Sequence, residues 1–253
     1  NASTSAALIF SSNASLAGTL TLNCSNTTAL TLSGILSGTS GVTVNSASSG
    51  VATLSGANTY TGTTIVNAGT LTLGATNALP ITASAGDIRF TGGTPTLNLG
   101  QFNLGTSTAT ANSAGLLDFD VNTTVNLGAA NGSAYSYYFK DSSAQTWSAT
   151  TITIGNWVGT AGATAGTGAG ARRIFIGSGA TLTAAQLNKI QFTGFAAGAT
   201  QLASGEIVPR GSSSTITTGT VSGSPFCAGA TSVSVPFTYS VAANFPSGGS
   251  CVF

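Results

Sequence analysis

From residue 18 to residue 74 the chain repeats one device. Leu, Val or Ile recurs at every second position with Thr, Ser or Asn between, and a Gly, Asn or Ser closes each unit. GTLTLN (18–23), ALTLSG (29–34), GVTVNS (41–46), VATLSG (51–56), TTIVNAG (63–69) and GTLTLG (69–74) all follow it. A period of two marks a half-buried strand. In GTLTLG, Leu71 and Leu73 are therefore expected on one face and Thr70 and Thr72 on the other. The units return roughly every ten to thirteen residues, and no segment carries a convincing helical period among such frequent breakers.

Short strands of this kind fit an all-β fold, a β-solenoid in which each coil stacks on the last. Backbone hydrogen bonds then run along the axis and the apolar faces merge into one column. Thr holds the outer face in strand geometry. Gly and Asn are assigned to the corners, where positive φ is expected. Charge is unnecessary if hydroxyl and amide side chains on neighbouring coils satisfy one another.

Residues 54–74, LSGANTYTGTTIVNAGTLTLG, resemble the autotransporter-associated β-strand repeat of bacterial surface and secreted proteins. Ser55-Gly56-Ala57-Asn58-Thr59-Tyr60-Thr61-Gly62 and Asn67-Ala68-Gly69-Thr70-Leu71 carry the resemblance. The coils before them look like degenerate copies. SSAQTWSATTITIGNWVGT (142–160), RRIFIGSGATLTAAQLNKIQFTGF (172–195) and GEIVPRG (205–211) resemble the closing part of the same proteins. The resemblance implies a right-handed parallel β-helix used as an extracellular stalk or adhesive surface. It implies no enzyme, no cofactor and no catalytic residues.

Composition shifts after Arg210, with Pro225, Pro236 and Pro246 and a sharper alternation in VSVPFTYSV. SGSPFCAGATSVSVPFT (222–238) resembles the opening of immunoglobulin-like modules in large secreted proteins of Bacteroidota-type bacteria. Such a sandwich takes about seven strands and about 100 residues, more than follow Arg210. The expected division is a β-solenoid over 1–210 and a partial immunoglobulin-like β-sandwich over 211–253. The missing strands would come from further chain or from another subunit by strand addition. Within residues 1–12, SAALIFSS is the candidate donor strand, which makes Ala6, Ala7, Leu8, Ile9 and Phe10 the candidate assembly residues. VPRGS (208–212), which also looks like a thrombin-cleavable sequence, reads as the linker.

Only 4% of the 253 residues are charged, against about 25% in a typical soluble domain. A surface so nearly neutral favours association. Six basic residues are too few to neutralise a run of phosphates, which argues against nucleic acid. A hydrophobic content of 42% argues against disorder, and no apolar run reaches the ~18 residues of a membrane span. The chain has no Met and starts at Asn1; it reads as a processed secreted protein, extracellular or at the cell surface. Cys227 and Cys251 are the expected disulfide in an oxidising compartment. Cys24 is left over, either buried or paired between chains.

No histidine is present, which removes Ser-His-Asp and Cys-His catalysis and most zinc sites. Asp118 and Asp120 in GLLDFDV are the one paired carboxylate set. Two apart on a strand they share a face about 7 Å apart, in the range of an inverting glycosidase pair. They are also a weak Ca²⁺ candidate, without the third acid such a site wants, or simply two acids on a solvated face. Arg172, Arg173 and Lys189 are candidates to meet them across coils, or to bind an acidic surface glycan. Tyr135, Tyr137 and Phe139 alternate onto one face with Tyr138 opposite, and core packing is expected for them and for Trp147 and Trp157. Sequons occur at Asn1, Asn13, Asn23, Asn26, Asn122 and Asn131. The function expected is a structural, extracellular protein that assembles head to tail with its own copies into a filament, sheath or surface layer. The alternatives are a monomeric adhesin or stalk and, behind it, a polysaccharide-cutting β-helix enzyme.

Overall fold

The structure is a computed structural model. It describes residues 8–24, 29–46, 50–129, 131–159 and 171–211, and the backbone of 215–217 and 238–240. Two units divide the chain, Asn1–Arg210 and Gly211–Phe253. In the first, β1 (Leu8–Phe10), β2 (Ala14–Leu16) and β3 (Leu20–Leu22) form one coil, and β4 (Ala29–Leu32), β5 (Leu36–Gly38) and β6 (Val42–Asn45) the next. There follow β7 (Val51–Leu54), β8 (Thr64–Ala68), β9 (Thr70–Leu73), β10 (Ile88–Phe90), β11 (Thr96–Asn98) and β12 (Leu117–Phe119). The stack continues with β13 (Thr123–Asn126), β14 (Tyr135–Phe139), β15 (Ile152–Gly155) and β16 (Arg172–Ile176). It finishes with α1 (Ala184–Lys189), β17 (Ile190–Phe192), β18 (Ala199–Gln201) and β19 (Glu206–Pro209).

One face is an eight-stranded sheet in the order β1-β4-β7-β9-β11-β13-β15-β17, parallel throughout. A second is five-stranded, β3-β6-β8-β10-β12, also parallel. The third begins with β2 beside β5. Bonds from Thr59 to the Leu36 carbonyl, from Asn77 to that of Asn103 and from Leu104 to that of Ser136 carry it onward. It ends in β14-β16-β19-β18. This is a parallel β-solenoid, the fold that the two-residue period predicts. Early coils repeat at 22 residues, as the contacts of Asn23 with Asn45 and of Asn45 with Asn67 show. Later ones lengthen to 28, as between Asn98 and Asn126.

In-register pairing turns the alternation into columns. Leu8, Leu30, Ala52, Leu71, Leu97, Val125, Ile154 and Phe192 stack in one inward line through the whole large sheet. Thr70 and Thr72 lie on the outer side and Leu71 and Leu73 are buried. Outside, amides form ladders: Asn45 Nδ2 donates to Asn23 Oδ1 at 3.3 Å and Asn67 Nδ2 to Asn45 Oδ1 at 2.7 Å, and the Thr91 hydroxyl closes on Asn67 at 3.2 Å. The glycines need a correction. Gly69 has φ +80°, as a corner requires. Gly41, Gly62, Gly86 and Gly115 do not. They stack on one another, and a Cβ at any of them would intrude on the backbone of an adjacent coil. Close approach, not a positive φ, keeps that column glycine.

The carboxyl end of the stack departs from the parallel rule. β19 pairs antiparallel with both β16 and β18. α1 was not expected from the pattern. Thr183 caps it, accepting from the Gln186 amide at 3.2 Å, and Gln186 Oε1 accepts from the Thr183 amide at 2.9 Å, a complete capping box. In the second unit β20 (Thr215–Thr217) pairs antiparallel with β21 (Thr238–Ser240). Cys227 and Cys251, expected to bridge, lie outside the described residues, as do Ala6 and Ala7 of the candidate donor segment.

Candidate functional site

The first coil has nothing above it among the described residues. Leu8, Ile9 and Phe10 are 52%, 63% and 54% exposed, and Ile35 joins them at 39%. A cavity of about 490 Å³ opens between the three faces there. Phe10, Leu16, Leu20, Leu22, Leu32 and Leu36 line it, with Ser11, Ser12 and Asn13 at the rim. No lining residue is charged; the first charged residue of the chain is Asp87 and the last Arg210. The structure thus places Leu8–Phe10 on its own solenoid, as a rung hydrogen-bonded in parallel to β4 with its other edge bare among the described residues. Acting as a donor strand would require it to leave β4. What it offers in place is an accepting edge over an apolar mouth.

The opposite end is finished. Ile207 and Val208 of β19 are buried at 1% and 0%. Gln201 of β18, buried, accepts from the Leu182 amide at 2.7 Å and donates to the Ile176 carbonyl at 2.6 Å. Gln186 of α1 donates to the carbonyls of Ser142 and Gln145, both at 3.0 Å. Arg173 holds the buried Glu206 at 2.7 Å, and that hydrogen bond raises the guanidinium's pKa.

The acid pair finds a partner that the sequence reading missed. Arg89 of β10 lies in register with Asp118 of β12. Its Nε donates to Asp118 Oδ2 at 2.9 Å and its Nη2 to Asp120 Oδ2 at 3.0 Å. Burial, helped by Asp120, pushes the Asp118 carboxyl up, and Arg89 works against that. One guanidinium thus bridges both carboxylates. Arg172, Arg173 and Lys189 do not meet these acids. Arg172 is fully buried, with Nη2 on the Ala129 carbonyl at 2.7 Å and its Cζ 5.0 Å over the Tyr135 ring. Lys189 bonds the Trp147 carbonyl.

Tyr137 and Phe139 are buried at 0%, and Tyr138 stacks on Phe175 at 4.5 Å. Trp147 packs edge-on against Phe119 at 5.0 Å and Trp157 against Phe195 at 5.2 Å. Cys24 is buried and free. Four of the sequon amides are already engaged: Asn13 accepts from Ile35, Asn23 from Asn45, Asn122 from Thr150 and Thr151, and Asn131 from Ser133. No helix among the described residues is long and apolar enough to cross a membrane, and no group of three or more metal-ligating side chains forms among them.

No curated protein and no solved structure matches the chain. Residues 47–73 match the family model of the passenger-associated-transport-repeat. That stretch holds β7, β8 and β9; Val51 of β7 and Thr64 of β8 lie 22 residues after Ala29 and Val42, their partners on the coil before, and Thr70 of β9 lies 19 after Val51. Over those residues the chain carries a β-helix repeat of the kind this family describes.

Proposed function

We propose that this is an extracellular structural protein that joins its own copies head to tail into a filament, sheath or surface layer. The observation that carries the reading is the unequal finish of one inward column, whose first member, Leu8, is 52% exposed and whose last, Phe192, is 0% exposed. Ends so unlike favour a heterologous contact, which propagates where an isologous one closes. Covering each half-exposed side chain at the mouth is worth about 1 kcal/mol, and pairing of the β1 edge adds to it. The passenger-associated repeat supports secretion or display at the cell surface. Division into a solenoid over 1–210 and an immunoglobulin-like segment over 211–253 belongs to the same proposal, since the second segment then supplies what the closed end of the solenoid does not. A structural role without catalysis is part of this reading; Arg89 bridging Asp118 and Asp120 supports it.

Light scattering and negative-stain images of the purified chain test this. Expected are particles that lengthen with concentration, and their loss in Phe10→Asp with the circular dichroism spectrum intact. Isolated short rods at every concentration, or particles that stop at two copies, would overturn it.

A further inference from the structure

Two sheets among the described residues are unfinished. β1 ends the eight-stranded sheet and pairs only with β4, so its outer edge is bare above the mouth. β20 and β21 make a sheet of two strands, and such a ribbon is marginal in water unless it lies against more structure. The sequence through β21 alternates, with Val233, Val235, Phe237, Tyr239 and Val241 at every second position and Ser, Thr or Pro between them. A strand that closes the mouth needs that pattern: one apolar row to cover Leu22 and Leu32, one polar row for water. Pro236 falls in the polar row and has no N–H, which suits a strand at the rim of a sheet. Neither partner carries a charge, since every acid and base lies between Asp87 and Arg210; joining them buries no ion.

We propose that β21 of a second copy, with the alternating residues 233–241 around it, pairs along the free edge of β1 and seals the mouth. This rests on the self-assembly reading and gives its head-to-tail contact a chemical identity: a backbone ladder between copies over a shared uncharged core. The rival occupants are the mouth of another copy and a segment of the same chain.

The test replaces Phe10 with the photoreactive p-benzoylphenylalanine in the full chain, and mixes ¹⁴N and ¹⁵N copies before assembly and irradiation. Elastase peptides are then read by mass spectrometry. Mixed-isotope peptides joining residue 10 to residues 231–241 are expected, with loss of the link when the probe sits at Gln101 instead. Links to residues 1–12 of another copy, links within one copy only, or no link in a sample full of fibres would each overturn the proposal while leaving self-assembly standing. A sample without particles, both for this variant and for Ile9 replaced in the same way, overturns both readings.

Discussion

The two ends of the solenoid are made from the same columns and finished in opposite ways. At the amino end the first described rung is parallel, apolar and bare among the described residues: Leu8, Ile9 and Phe10 are half-exposed above an uncharged cavity. At the carboxyl end an antiparallel strand, a six-residue helix and two buried glutamines close the stack. The contrast teaches that parallel rungs do not stop themselves. Every rung presents the next one with a row of backbone groups and an apolar row, so an end has to be made by something else: a reversed strand, a helix or loop, a polar cap or a partner.

Matched substitutions break or sharpen this contrast. Ile207→Ala, at 1% exposure in β19, should cost about 2–5 kcal/mol as a buried truncation. Leu8→Ala, half in water already, should cost under about 1 kcal/mol in the unassembled chain. Urea unfolding of the two variants side by side is the measurement. Similar losses at both positions would mean the open end is covered.

A smaller difference is expected for the polar ties. Gln201→Leu leaves the Leu182 amide and the Ile176 carbonyl buried without partners, a loss of about 1–3 kcal/mol for each group so stranded. Asn13→Ala frees only the Ile35 amide at an exposed rim, where water replaces the bond and the cost stays below about 1 kcal/mol. Hydrogen exchange localises the effect. Loss of protection over 172–209 is expected for the first variant, and near-wild-type exchange beyond the first coil for the second.

Local order was legible in the sequence because it depends on neighbours two residues away. Leu71 and Leu73 in and Thr70 and Thr72 out needed only the period of a strand, and stacking then followed from recurrence. What depended on coil length was hidden. Arg89 meets Asp118 and Asp120 across 29 and 31 residues, while the early coils repeat at 22, so no fixed offset pointed to it. Arg172 and Arg173 were the conspicuous pair and went elsewhere. The glycine column at Gly41, Gly62, Gly86 and Gly115 was visible as glycine but not as close approach, which only the stacked backbone reveals. α1 was readable after all: T-x-x-Q at Thr183 and Gln186 is a helix start, overlooked because a six-residue helix is too short to show a period. Least legible was the mouth itself, since the same alternation serves a buried rung and a bare one.

That glycine column gives a prediction intermediate in size and independent of the ends. Gly62→Ala pushes a methyl into the backbone of the preceding coil at Ser40 and Gly41 and should cost about 1–3 kcal/mol, wherever assembly leaves the termini. A loss confined to assembled material, with the isolated chain unaffected, would show that the coils are farther apart than described.

Acid supplies the gentlest probe, because it can act on only one half of the molecule. No acid or base precedes Asp87, and burial holds the Tyr60 phenol far above its usual range. The charged half contains two carboxyls shifted in opposite directions. Burial and Asp120 raise Asp118 against the pull of Arg89. Burial also works to raise Asp141, but hydrogen bonds from Ser143 and Thr181 outweigh it and bring it below its usual value. For Asp118 the folded state holds the proton more firmly than the unfolded one, so its contribution is present at low pH and is lost as pH rises through its folded pKa. For Asp141 the contribution is present above the ordinary carboxylate range and is lost as pH falls through its lowered pKa. Melting curves from pH 7 down through the carboxylate range, compared with the parent's, separate the two contributions. Asp118→Asn should become more acid-labile than the parent, and Asp141→Asn less. In exchange experiments corrected for the intrinsic rate, residues 29–73 should not respond to acid in any of the three proteins. An equal acid response there would mean that the uncharged coils and the charged cap unfold as one unit, and the independence of the two ends would be lost with it.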